Sequence, residues 1–386
     1  MKINQISRVM NESMLPNFLG VDSDENPITI KEDLSNVLDF GVQMEKADAD
    51  TFKGFLGKLI VGVHKLWIDT NPYTLSTPNI FVDDMEYGAL VNRIRFNNLE
   101  YRDGENTTLQ DGKDYNPYVY KNPNFVSKVF SQETTYSPDT PSISRNTLKT
   151  VFSSAENVGE FVNGIMVQID NSLKLASHML VMRTLLGLAA GAKRINLVTE
   201  YNTLTGKSLN SETALSDYEF LKFACEVIIN VKRMIKNPSK KYNDGSVVTF
   251  SSDNNTHLTL LSLFDTALSV NMRSNTYHNS FTEFGKYDMV DYWQTQGQSI
   301  IPKLSECGHI DLKSDEWKTE TNTDGSVEIE NVIGMIYDDN ACGVSIRPLT
   351  VDVAYSERGR FFNYFYTQNR RNFVDTCGNC VLLTLN

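Results

Sequence analysis

Residues 153–190 read SSAENVGEFVNGIMVQIDNSLKLASHMLVMRTLLGLAA, and the spacing of their apolar positions decides the architecture. Val158, Val162, Ile165, Ile169, Leu173, Ala176 and Leu180 follow one another over 22 residues in six steps. That is about 3.67 residues per turn, the period of an α-helix with one face in a core. Ser153 and Glu156 stand three apart just before the series, the spacing of a capping box. Continued to Ala190, the helix runs about 36 residues and roughly 54 Å, some three times the ordinary length. A helix of that length is expected to act as a spine, with Val158, Val162, Ile165 and Ile169 on its core face. The period lies closer to 3.6 than to 3.5 and sustained charged flanks are lacking, which argues against a coiled coil.

Upstream, residues 1–30 are polar, carry Pro16 and Pro27, and show no sustained period, so they read as an extended N-terminal arm. Two helical stretches follow, near 31–45 and 48–67, the second striped by Phe52, Phe55, Leu56, Leu59, Ile60, Val63 and Leu66. Pro72 and Pro78 end it. Ala89–Phe96 and Phe125–Phe130 have strand patterns, and the segment between them holds two strong turn pairs, Asp103-Gly104 and Asp111-Gly112. Two long strands flanking an excursion of about 25 residues make a protrusion, since a structureless loop of that length needs a function inside a compact domain. Arg93, Arg95 and Arg102 lie near Asp83, Asp84 and Glu86 there. Mixed signs on a projecting element suit contact with a copy of the same chain, and ordinary surface charge reads equally well.

Downstream of the spine the signals alternate. A strand over Ile195–Thr199, a helix over Asp217–Ile235, a strand over Ser246–Ser251, a helix over His257–Val270 and strands around Trp317 make a mixed lobe. The last 56 residues are strand-rich, and Arg360–Tyr366 carries aromatics on both faces, which implies that both are covered. The fold class is α+β.

The chain of 386 residues carries 36 Lys and Arg against 48 Asp and Glu, a net charge of −12. Such a balance disfavours a protein whose main task is gripping phosphates. One basic cluster stands against it, Lys232, Arg233, Lys236, Lys240 and Lys241, which reads either as a solvated helix end or as a patch for an acidic partner or packaged nucleic acid. The apolar stretch Met179–Ala192 is interrupted by Arg183 and falls short of the roughly 20 residues that span a bilayer. The N-terminus lacks the apolar run of a secretory signal, so a soluble, cytoplasmically made chain with no membrane partner is expected.

No catalytic constellation emerges, and no catalytic, metal or cofactor-binding residue is assigned. Five scattered cysteines form no disulfide framework, and Cys377-Gly-Asn-Cys380 lacks a regular second pair for zinc. Cys380 instead opens an apolar strand, where a reduced cysteine behaves as a small hydrophobe. Gly206-Lys207-Ser208 resembles the end of a phosphate loop, but Tyr201 occupies the position that needs the first glycine. The calcium-like run Glu320, Asn322, Asp324, Gly325 lacks its bidentate Glu, because the twelfth position is Asn331.

The order of parts resembles the tailed-bacteriophage major capsid protein of the Hong Kong 97-like fold, short-tailed phage type. Asp84-Met-Glu-Tyr-Gly88 with Leu90-Val-Asn-Arg-Ile-Arg95 is similar to the start of the protruding E-loop in such proteins. Thr147–Ser154 and Phe161–Ser172 are similar to the beginning and first half of their spine helix. Ile333–Ala341 and Val381–Leu385 resemble their closing strands. The resemblance implies an N-terminal arm (1–30), a helical segment (31–81), an E-loop (82–146), a P-domain spine helix (147–193), an A-domain (194–330) and closing strands of the A- and P-domains (331–386). It further implies a non-enzymatic virion protein of the host bacterial cytoplasm, self-assembling into the pentamers and hexamers of an icosahedral shell around double-stranded DNA. A separate scaffolding protein and a portal come with that reading, and no cofactor does. A phage-like bacterial compartment shell is the alternative within the class; a two-domain α/β Cys–His hydrolase is the alternative outside it.

Overall fold

A computed structural model describes residues 7–12, 19, 27–46, 77–82, 91–96, 118, 125–130, 133–144, 155–272, 284–313 and 326–386, apart from 9, 34, 139, 141, 357 and 360. The chain forms two compact units: one of residues 1–75, 134–179 and 346–370, the other of residues 76–133, 180–345 and 371–386. The division falls within two long elements, the helix α2 (Ala155–Gly191) and the strand β13 (Phe361–Val374).

The expected long helix is observed as α2, 37 residues and about 56 Å long. Ile169 and Leu173 are buried on it, and from Val181 to Ala189 every residue but Arg183 is buried. The side chains of Val158, Val162 and Ile165, and the Ser153 cap, lie outside the described residues. Val167–Gly191 is long and apolar enough, by composition, to cross a membrane, yet more than half of it is buried inside the protein. Core packing accounts for the apolarity. The helical hydroxyls of Ser172 and Thr184 turn back onto the carbonyls of Gln168 and Leu180, so neither is left unsatisfied.

In the first unit, helix α1 (Val37–Lys46) matches the first helical stretch, and Val37 and Phe40 are its buried residues. The second expected stretch, 48–67, lies outside the described residues. The N-terminal segment departs from an extended arm: its described residues between 7 and 12 are helical and Met10 is fully buried. The Asn11 amide explains the departure, donating to the Ile30 carbonyl and accepting from the Ile30 N–H, a two-way clamp that holds the segment to the chain. Strand β12 (Thr350–Ser356) pairs antiparallel with β13, Val351 opposite Tyr366. The short strands β3 (Glu133–Tyr136) and β4 (Ile143–Ser144) also pair with β13. Tyr364 and Tyr366 are buried edge to face, 5.8 Å apart, while Phe365 on the opposite side is 46% exposed. One face of β13 is therefore open at Phe365, contrary to the reading that both are covered.

The second unit is built on a five-stranded sheet in the order β5-β14-β10-β6-β7: Lys193–Asn196, Cys380–Thr384, Val332–Asp338, Thr256–Leu261 and Asp288–Val290. β10 is antiparallel to both neighbours, and the outer pairs are parallel. β10 and β14 are buried along their whole length, as expected of near-continuous apolar runs. Gly334 is required in β10, because a Cβ there would stand 2.7 Å from Leu260 Cδ2 and 2.9 Å from the Thr259 carbonyl. Helices α3 (Leu197–Thr205) and α5 (Tyr218–Met234) cover the sheet through Leu197, Tyr201, Phe220, Ala224 and Ile228; between them lies the short α4 (Ser211–Ala214). α5 falls where expected, capped by Asp217, whose carboxylate accepts from the N–H groups of Glu219 and Phe220.

Three expectations fail in this lobe, two of them only in part. Ile195–Thr199 is a strand only to Asn196, whose side chain then caps α3 by accepting from Thr199 N, while Gly206 closes that helix in the left-handed conformation. The helix expected over His257–Val270 forms only from Ser262, as the short α6 (Ser262–Ala267) continued by a π-helical turn (Leu268–Met272); residues 257–261 are β6, where pairing with β10 overrides a pattern that fits either period. Ser246–Ser251 makes only an isolated bridge, Ser239 to Thr249. Its polar groups serve a buried network instead. Asn243 donates to Val247 O and Thr249 Oγ1, Thr249 to Asn379 Oδ1, Asn379 to Ser251 Oγ, and Ser251 to Asp338 Oδ2. The strands expected around Trp317 and the calcium-like run lie outside the described residues.

Candidate assembly surface

Strands β1 (Val91–Phe96) and β2 (Phe125–Phe130) pair antiparallel with Arg93 opposite Lys128 and Ile94 opposite Ser127. Residues opposite one another share a face. One face of the ribbon thus carries Arg93, Arg95 and Lys128 with Val126 and Phe130; the other carries Ile94, Phe96, Phe125 and Val129 with Ser127 among them. Exposure alternates with this pattern: the cationic face is half-buried, whereas Ile94, Phe96, Phe125 and Val129 are 53%, 68%, 47% and 57% exposed. The ribbon is charged side in and apolar side out.

The cationic face meets an acidic floor within its own unit. Arg95 Nη2 lies 2.9 Å from Asp375 Oδ2, and its Nη1 donates to the Cys377 carbonyl. Lys128 Nζ stands 3.6 Å from Asp375 Oδ1 and 3.5 Å from Asp244 Oδ2, and donates to Thr376 Oγ1. Arg93 donates to the Asn340 carbonyl and lies 4.4 Å over the Phe373 ring, which also packs on Phe130. Arg93 and Lys128 are like charges directly opposed, and Asp375, 1% exposed, offsets the repulsion. Burial would raise the Asp244 carboxyl, but hydrogen bonds from Ser246, Thr376 and Cys377 outweigh it and hold the group down to about 2. Burial opposes the Lys128 charge, yet Cys377, Asp375 and Asp244 leave its pKa raised.

The sequence singled out Arg93 and Arg95 for contact with another copy, and both guanidinium groups are engaged within the chain. Arg102, Asp83, Asp84 and Glu86 lie outside the described residues, as does the excursion apart from Tyr118. Asp244, Asn340 and Asp375 went unnoticed, because nothing local links them to a ribbon more than a hundred residues away. The basic cluster is dispersed. Lys232 donates to the Phe284 carbonyl and is made less basic by burial, Lys236 pairs with Asp253 at 2.5 Å, and Lys241 sits 5.6 Å over Tyr242. Arg233 and Lys240 remain exposed.

The chemistry of an enzyme is not assembled around the thiols or the phosphate-loop look-alike. All five cysteines are free and buried. Burial pushes the thiols of Cys307, Cys377 and Cys380 up, and that of Cys342 to about 12, the opposite of an activated nucleophile. Lys207 pairs with Glu219 at 2.6 Å and donates to Tyr201 Oη beside the α3 cap. Among the described residues His309, Glu328 and Glu330 bring possible ligand atoms within 4.8 Å of one another. Both carboxylates are exposed, and Glu330 already accepts from Asn386.

The model of the Phi29-like phage major capsid protein family matches residues 21–384. The chain belongs to that family. It is a structural protein of the virion that assembles with copies of itself into a capsid, not an enzyme. A search of curated proteins finds no match. Among solved structures, a chain of the Staphylococcus phage Andhra capsid matches at TM-score 0.49 and 10% identity, over 81% of this chain and 86% of that one. A chain from the structure of the head fiber and inner core protein gp22 of native bacteriophage P68 matches at TM-score 0.48 and 13% identity, over 82% and 87%. The assignment rests on the sequence family, and the mixed helix-and-sheet fold of the capsid protein agrees with the α+β class read from its sequence.

Proposed function

We propose that this capsid protein builds an icosahedral shell of the Hong Kong 97 type, from pentamers and hexamers, around double-stranded DNA. The observation that carries the reading is the two-faced ribbon β1–β2. An apolar face left open while the charged face is latched to the chain's own lobe is expected where another subunit completes the core. In this reading the ribbon and the residues between its strands are the E-loop, α2 is the spine of the P-domain, and the lobe on the β5-β14-β10-β6-β7 sheet is the A-domain. The open face of Ile94, Phe96, Phe125 and Val129 then lies against a neighbouring copy, and Arg102 with Asp83, Asp84 and Glu86 adds charged contacts. Of the basic cluster, Arg233 and Lys240 are the cations offered to packaged DNA, weakly, on a surface whose overall charge repels it. A separate scaffolding protein and a portal complete the assembly in the host bacterial cytoplasm.

The test is to replace residues 101–120 with a short Gly-Ser turn and to change Phe96 and Val129 to Ser in a second variant. Loop shortening alters closure entropy only modestly, so circular dichroism should stay native for both. Sedimentation should show loss of shells in both. Full-sized shells at normal yield from either variant would remove the ribbon from the interface.

A further inference from the structure

The second unit carries an apolar point that its own core does not use. Ile300 is 102% exposed and Ile301 77%, and Pro302 beside them is exposed too. The loop that presents them is built to hold still. Glu306 reaches back so that one carboxylate oxygen accepts from the N–H groups of Gln298 and Ser299, at 2.9 and 3.1 Å, while the other accepts the Ser299 hydroxyl at 2.5 Å. Gly297 takes φ 79°, and a Cβ there would stand 2.0 Å from Glu306 Oε2, so glycine serves both the turn and the carboxylate. On the near side Trp293, 1% exposed, anchors the segment by bonding Cys307 O through its backbone and Val332 O through its indole.

We propose that the loop of residues 297–303 is a preorganised intersubunit knob, in which Ile300 and Ile301 insert into a second copy of this chain. The inference rests on the reading of the protein as a shell subunit and names a contact outside the ribbon. Three observations choose the occupant. The family assembles with itself, so another copy is always at hand. Copies at −12 each repel, and residues 292–305 contain one Lys and no Asp or Glu; of the two acids that bound them, Asp291 is exposed and Glu306 is turned onto the loop's own donors. The segment is thus a place where like-charged subunits can close. Finally, a fixed loop loses little freedom on docking, which is how a small apolar anchor holds a contact repeated around a ring.

The five native cysteines are buried, so Ile300→Cys gives a single accessible thiol. Maleimide labelling of the unassembled variant should be fast, and labelling of its shells at least tenfold slower. A photocrosslinker placed at residue 300 should yield a product of twice the subunit mass. The double variant Ile300→Asp, Ile301→Asp should keep its circular dichroism and melting, since both side chains are in water, but lose at least tenfold in shell yield. Equal labelling of subunit and shell, a crosslink to nucleic acid or to a different virion protein, or full yield from the double variant overturns the knob. Absence of shells from the unaltered protein, even when it is expressed with its neighbouring gene products, instead overturns the shell reading itself, and the knob with it.

Discussion

Changing Asp375 to Asn removes the anion that Arg95 and Lys128 share, leaving two cations against a floor from which water is nearly excluded. Arg95 is 18% exposed and Asp375 1% at their side chains, so neither charge is well screened. Removing one partner of a buried pair costs about 3–5 kcal/mol. We take the lower end, ~3 kcal/mol, because Lys128 keeps Asp244 and Arg95 keeps two backbone carbonyls. The loss falls on the seating of the ribbon rather than on the central sheet, so the assay must be local. Hydrogen exchange of peptides covering residues 91–96 and 125–130 in the unassembled subunit reads the opening directly. At about 1.4 kcal/mol per factor of ten, 3 kcal/mol corresponds to roughly 100-fold faster exchange there. Peptides from β10 and β14 should be unchanged. The companion Arg95→Met, alone and combined with Asp375→Asn, should show coupling of about 1–3 kcal/mol, with the double variant recovering part of the protection. Exchange at the ribbon within threefold of the unaltered protein would refute the latch.

Other consequences follow from single sites. Asp244 is held at about 2, below the ordinary carboxylate value of 3.8. A depressed pKa stabilises the fold above the unfolded value, so that contribution is complete above pH ~5, fades as pH falls through 3.8 toward 2, and is absent in Asp244→Asn; urea titration at pH 7 and pH 3 should differ by about 1 kcal/mol less in the variant, after allowance for solvent screening. An unaltered pH difference would remove Asp244 from the acid response. Leu185→Ala in α2 should destabilise by about 3 kcal/mol in urea, since Leu185 is fully buried; a change under ~1 kcal/mol would mean the site collapses freely. Gly334→Ala forces β10 and β6 apart and should cost about 1–3 kcal/mol, and an unchanged urea midpoint would contradict the close approach seen at Leu260. Ile169→Asp buries an unpaired carboxylate at a cost of several kcal/mol and should leave the protein insoluble; a soluble variant with unchanged melting would place residue 169 off the core face.

The long helix was legible because seven apolar positions keep one period over six turns, more than any competing pattern can imitate. β1 and β2 were legible for the same reason at period two, and α5 because Asp217 marks its start. The alternation in Val91–Phe96 showed two faces but not which was covered, and the usual assumption that cations face outward inverted the ribbon. Its floor was invisible, since Asp244 and Asp375 lie 116 and 280 residues from Lys128 and Arg95, and only the folded sheet brings them together. His257–Leu261 misled because a short apolar run fits helix and strand equally, and pairing with β10 decided between them. Ser246–Ser251 misled because buried Asn and Thr side chains satisfied a backbone that looked ready for a ladder. The Ile300–Ile301 pair needed exposure to be noticed at all; in sequence it is two apolar residues before a proline.

The most direct test of the central claim is electron microscopy of the expressed protein, alone and together with its neighbouring gene products, with sedimentation of the same samples. A capsid subunit predicts closed megadalton shells of uniform diameter, formed from pentamers and hexamers and sensitive to changes in the ribbon. A discrete small oligomer that stays small in the presence of those partners would contradict it.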